Sequence, residues 1–139
     1  MCGIIGINSN RPVSSTIISS LKKLEYRGYD SAGIATLSNN EINEVKSEGR
    51  VDNLENNLLV QKMEGTIGIG HVRWATHGLP NSINAHPHSS QNVSVVHNGI
   101  IENSTLLKKF LVSKGHKFKS QTDTAVSYTH LRAHETDTD

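Results

Sequence analysis

The amino-acid sequence predicts an α+β fold in which short strands alternate with one-sided helices. Three observations carry that prediction. Short apolar runs bounded by Gly, Asn and Ser recur along the chain, and three other stretches space their apolar residues as one helix face does. The length of 139 residues holds one ordinary domain.

Taken in order, Gly3-Ile4-Ile5-Gly6-Ile7 is apolar and runs into Asn8-Ser9-Asn10, the pattern of a buried strand and a turn. Beyond Pro12, the residues Ile17, Ile18, Leu21 and Leu24 share a helix face with Lys22 and Lys23 between them, and Gly28 is a natural stop. Residues 33–37 and 41–45 flank Ser38-Asn39-Asn40 as the arms of a hairpin. Val51, Leu54, Leu58 and Leu59 mark a second amphipathic helix that ends before Gly65. Residues 66–72 form a strand whose glycines argue for close packing, since no phosphate-loop Lys-Ser/Thr pair follows them. Residues 73–92 are rich in His, Pro, Gly, Asn and Ser and predict a long loop, a kind of segment that is usually functional. Residues 93–96 read as a strand. Asn103 or Ser104 then caps a third helix carrying Leu106, Leu107, Phe110 and Leu111 and closed by Lys114-Gly115. From Val126 onward neither period is present, so residues 1–125 are expected to form the domain and 126–139 a non-native tail.

Composition narrows the function. Lys and Arg total 14 against 13 Asp and Glu, a net charge of +1, which gives no electrostatic reason to expect nucleic acid or an anionic membrane as partner. No apolar stretch is long enough to span a bilayer, and no basic segment precedes an apolar one at the N-terminus. The lone Cys2 makes no internal disulfide and no thiolate zinc cage. A cytoplasmic protein without cofactor is the expectation.

Five groups of residues could carry chemistry. Loss of Met1 would leave Cys2 with a free α-amino group, placing a nucleophile and a general base on one residue, both titrating near neutral pH; a small buried hydrophobe is the plainer alternative. Asn98 and Gly99, after the 93–96 strand, could supply a side-chain and a main-chain N–H to one oxyanion, although Asn-Gly is also the favoured pair of a tight hairpin turn. Arg73 leaves a strand into the polar loop, where its guanidinium could grip a carboxylate through two parallel hydrogen bonds, with Thr76 and His77 nearby; the alternative is a surface arginine stacked on Trp74. Asp123 could pair with an ammonium group, or simply sit in an exposed turn or at a helix cap. His86-Pro87-His88 raises the possibility of a metal, but no metal-binding helix motif accompanies it and the expectation is none.

Taken together, several collinear segments resemble the N-terminal glutaminase domain of the glutamine–fructose-6-phosphate aminotransferases, within the class II glutamine amidotransferases. They are residues 1–6, 24–33, 70–78, Asn84-Ala85-His86-Pro87-His88, 97–103 and Thr122-Asp123-Thr124. The resemblance implies an N-terminal-nucleophile hydrolase αββα sandwich, incomplete at its C-terminal side. It implies that Cys2 attacks the side-chain amide of L-glutamine to give a thioester and ammonia, with Asn98 and Gly99 stabilising the oxyanion. Arg73, assisted by Thr76 and His77, would hold the α-carboxylate and Asp123 the α-ammonium, while Trp74 belongs to a closing loop and Arg27 and His86 have supporting roles.

The same resemblance implies hexosamine biosynthesis in a homodimeric parent, with D-fructose 6-phosphate reached only through isomerase domains that this chain lacks. Where the family has Glu, this chain has Ala125, and the match stops there; the isolated chain is therefore expected to be inactive. Two alternatives stand beside this reading. One is an amidophosphoribosyltransferase-type glutaminase, which Tyr26, Tyr29, Trp74 and His77 disfavour, and the other is a non-catalytic amino-acid-binding module.

Overall fold

A computed structural model describes residues 2–60, 63–74, 79, 81–90, 92–118 and 120–125. Its main sheet has four strands: β1 (Gly3–Asn8), β2 (Ser31–Ser38), β3 (Glu41–Glu48) and β4 (Ile67–Arg73). Their order is β1-β4-β2-β3 and every neighbouring pair is antiparallel. β2 and β3 are joined by the expected hairpin. Ser38 pairs with Glu41, and the two residues between them, Asn39 and Asn40, adopt φ of 52° and 62°. Positive φ at both central positions is what a type I′ turn requires, and asparagine tolerates it.

Two helices, α1 (Ser14–Leu24) and α2 (Val51–Val60), belong to one face of this sheet. Ile17, Ile18 and Leu21 of α1 and Leu54 of α2 are buried with Ala32, Ile34 and Val72 of the sheet in one apolar core. Glycine lets α1 come down onto the central strand: a Cβ at Gly68 or Gly70 would lie 2.7 or 2.6 Å from Ile17. Because side chains alternate along a strand, Gly68, Gly70 and Val72 face the helices and His71 and Arg73 face the other way. That second face receives residues 84–88: a Cβ at Gly33, the register partner of His71, would overlap the His86 carbonyl oxygen.

Past α1 the chain tightens into a 3₁₀ turn, Glu25–Arg27, which Gly28 ends. Glu25 then serves α2 from a distance. One carboxylate oxygen accepts the Val51 N–H at 2.9 Å and the other pairs with Arg50 at 2.6 Å. A carboxylate placed there satisfies an otherwise unpaired donor of the first helical turn and complements the helix dipole.

Three expectations change. The strand expected over 93–96 is only β6 (Ser94–Val95), and it pairs with β5 (His88–Ser89) inside the segment expected to be a long loop. A third helix, α3 (Ser104–Ser113), follows Asn103, which makes no side-chain capping bond. That helix buries Leu111 but leaves Leu106 and Phe110 exposed. The expected tail, 126–139, lies outside the described residues, among which no helix is long and apolar enough to cross a membrane.

Candidate active site

Sheet register positions the nucleophile candidate. Gly3 pairs with Val72, so Cys2 comes alongside the end of β4, where the Trp74 N–H donates to its Sγ at 3.2 Å. The Cys2 thiol in turn lies 3.6 Å from the Trp74 carbonyl oxygen. Gly28 packs against this same corner, since a Cβ there would stand 2.6 Å from the Arg73 carbonyl carbon and 2.8 Å from the Trp74 nitrogen. Two donors grip the Cys2 carbonyl oxygen: Arg27 Nε at 3.2 Å and Asn98 Nδ2 at 3.0 Å. Both flank the sulfur's own residue. Met1 lies outside the described residues.

Asn98 is not the corner of a hairpin. The β5–β6 hairpin closes before it, and Asn98 is absent from the positive-φ residues that a type I′ turn would require. Its side chain instead spans two partners, Cys2 through Nδ2 and His71 through Oδ1, the latter at 2.9 Å from the His71 ring Nε2. His71 is fully buried, and burial is the main reason its pKa is pushed down to about 4, against its hydrogen bonds to Asn98 and the His97 backbone.

Arg73 is 3% exposed, so it is not a surface arginine resting on Trp74. Burial works against its positive charge, while Cys2, Asp30 and Asp123 favour it. One guanidinium nitrogen donates to the Leu79 carbonyl at 2.9 Å. Trp74 is half-exposed and meets Tyr29 edge-on at 5.8 Å. Asp123 is also buried, contrary to the exposed-turn alternative, and its Oδ2 accepts the Ile101 N–H at 2.6 Å. Thr76 and His77 lie outside the described residues.

His86 stacks on His71 with ring centroids 4.1 Å apart, and His88 tilts against His86 at 4.7 Å. Burial pushes the pKa of His86 strongly down and that of His88 to about 3, with Lys46 and Arg73 among the charges adding to it. His71 and His86 lie face to face, which suits packing better than ligation; among the described residues no group of three His, Cys, Asp or Glu could hold a metal.

These residues enclose a cavity of about 350 Å³. Cys2, Asn98 and Gly99 line it together with Arg73 and Asp123, and Arg27, Trp74 and His86 also border it. Sequence reasoning left out other participants. Thr122 lines the cavity and hydrogen-bonds His88 Nε2 at 2.7 Å. Asn84, fully buried, ties the loop after β4 to the Asp123 segment: its Nδ2 donates to the Leu79 carbonyl and to Gln121, and its Oδ1 accepts from Ser120 and the Gln121 N–H. Only the run of small polar residues around 120–124 hinted at such a clasp.

Comparison with known proteins converges on one group. A family profile described as "Glutamine amidotransferase domain" matches residues 71–138. A glutamine–fructose-6-phosphate aminotransferase (isomerizing) of Mesorhizobium japonicum is 55% identical over 135 residues, 97% of this chain and 22% of that protein. One of Clostridium acetobutylicum is 56% identical over 128 residues, 91% of this chain and 21% of that protein. The chain thus spans about a fifth of the length of the curated relatives it matches. Among solved structures, glutamine phosphoribosylpyrophosphate amidotransferase from B. subtilis superposes with a TM-score of 0.79 at 29% identity, covering 93% of this chain and 28% of that one.

Proposed function

Since this chain belongs to the glutamine amidotransferases and shares their α+β, N-terminal-nucleophile hydrolase fold, we propose that its cavity is a glutaminase site. One observation carries the reading: a free thiol, an amide donor, a buried guanidinium and a buried carboxylate all line one 350 Å³ cavity. Glutamine presents a carboxylate and an ammonium at one end and an amide carbonyl at the other, and each has a complementary group here. Arg73 has five N–H donors, enough to serve the Leu79 carbonyl and a substrate carboxylate together. Asp123, one oxygen engaged by Ile101, takes the ammonium. Thr76 and His77 assist the carboxylate and Trp74 covers it, while Arg27 and His86 fix their surroundings.

With Met1 removed, the α-amine of Cys2 takes the thiol proton as sulfur attacks the amide carbon, and passes it to the departing ammonia. The developing oxyanion is held by the second N–H of the Asn98 amide and by the Gly99 N–H. Water then releases L-glutamate from the thioester. In a polypeptide that also carries sugar-phosphate domains, the ammonia aminates D-fructose 6-phosphate and the site serves hexosamine biosynthesis, within homodimers. The 55% identity to aminotransferases of that kind favours this acceptor over the phosphoribosyl one of the 29% identical structure. A catalytic free thiol suits the reducing cytoplasm.

An electrophilic glutamine analogue, followed by peptide mass spectrometry, tests the reading. Modification of Cys2 that L-glutamine slows supports it. Labelling elsewhere, or a Cys2→Ala variant with undiminished ammonia release from glutamine, overturns it; a pure binding module would keep its function in that variant.

A further inference from the structure

We infer that His71 is a positioning residue for this site: its Nε2–H holds the Asn98 carboxamide oxygen, so that the amide's NH₂ end is the one presented to Cys2 and to the oxyanion. The inference rests on the glutaminase reading of Asn98, and its geometry can be followed atom by atom. The Cys2 carbonyl can only accept, so the Asn98 atom 3.0 Å from it must be the nitrogen. Asn98 Oδ1 therefore faces His71, 2.9 Å from Nε2, and the proton of that contact must belong to the imidazole. The other ring nitrogen, Nδ1, is buried without a hydrogen-bond partner. An orphaned lone pair there is tolerable; a buried N–H or a second proton is far less so. One tautomer fits.

The surroundings hold that tautomer in place. Ile4 of β1 and Gly33 of β2 flank His71 in the sheet, and the His86 ring covers it at an interplanar angle of 16°. The titratable and charged groups near it are His86 and His88 on the covering loop, Arg73 two residues along its own face, and His97 beside Asn98. Burial is the chief obstacle to a positive charge on the ring, and Arg73 and His97 add to it. An unsupported carboxamide could rotate by half a turn and offer oxygen where the reaction needs N–H. The His71 bond opposes that rotation without touching substrate.

Two measurements decide the matter, the first on this chain and the second on a polypeptide that carries it within a complete glutaminase domain. In ¹⁵N-edited NMR of the imidazole ring, His71 is expected as the neutral Nε2–H tautomer throughout pH 5–8, whatever the turnover. An Nδ1–H tautomer, or titration near pH 6.5, overturns the inference. In steady-state kinetics, His71→Leu is expected to lower kcat for glutamine about 10- to 100-fold with KM within about twofold. His71→Gln, which keeps an N–H near the same position, is expected to recover most of it. Equal loss in both variants, or a change confined to KM, overturns the inference, and if His71→Leu does not fold the NMR result decides alone. Turnover that survives Cys2→Ala would instead strike the glutaminase reading, leaving the tautomer result to judge the contact between His71 and Asn98.

Discussion

The main-chain N–H of Trp74 points at the sulfur of Cys2 across 3.2 Å, although the two residues are 72 positions apart. Pairing of β1 with the central strand β4 is the cause, since Gly3 is held opposite Val72 and the preceding residue has nowhere else to go. The nucleophile candidate is thus fixed by sheet register.

Removing the thiol should therefore leave the fold untouched and stop the chemistry. Cys2→Ala is expected to cut glutaminase turnover more than about 10³-fold with an unchanged melting temperature. Asn98→Ala should lower kcat about 10²- to 10³-fold, as loss of one oxyanion donor does. Ammonia release under saturating glutamine, from a polypeptide that carries this chain within a complete glutaminase domain, beside a thermal melt of each variant, checks both.

Arg73→Lys keeps the charge but loses the planar fork. Its expected signature is a rise of about 10- to 100-fold in KM for glutamine, the effect of losing a charge-assisted bidentate contact. Asp123→Asn should raise KM about 10-fold, because an amide still accepts from Ile101 but no longer neutralises an ammonium. Unchanged KM in both variants would remove the amino-acid clamp.

Acid should loosen the fold before it titrates the carboxylates. His71 and His88 have folded pKa values near 4 and 3, and His86 is also depressed, all below the 6.5 of an unfolded histidine. Between pH 6.5 and 4 the unfolded chain then binds more protons than the folded one, so stability falls with falling pH. Denaturant melts at pH 7.5, 6 and 5 should show this order. Substituting His86 by a neutral aromatic should flatten the slope.

Gly33→Ala tests the packing under the site. The added methyl would overlap the His86 carbonyl, a backbone atom that cannot swing aside, and the cost is expected to be at least about 2 kcal/mol. A chemical-denaturation midpoint measures it.

Much of this architecture could be read from spacing. The helix around Ile17, Leu21 and Leu24, the hairpin at Asn39-Asn40 and the glycine-bearing strand all follow local patterns that tertiary packing reinforces. The two-residue strands β5 and β6 could not be read, because so short a pairing carries no period and is held by its neighbours. Asn98-Gly99 does not form the tight turn that its residue types favour, since the Asn98 side chain is occupied by Cys2 and His71. His71 itself was invisible: nothing along the chain announces that residues 71, 86 and 98 meet, and only the strand pairing and the cover of the 84–88 segment create that contact.

Along Gly70, His71, Val72 and Arg73, four neighbours on one strand, alternate residues answer to different masters. Gly70 and Val72 press against the helices, while His71 and Arg73 look into the cavity side. A library of substitutions across this stretch should accordingly sound in two beats, soluble yield failing at one position and turnover at the next, so that damage to folding and damage to catalysis interleave without merging.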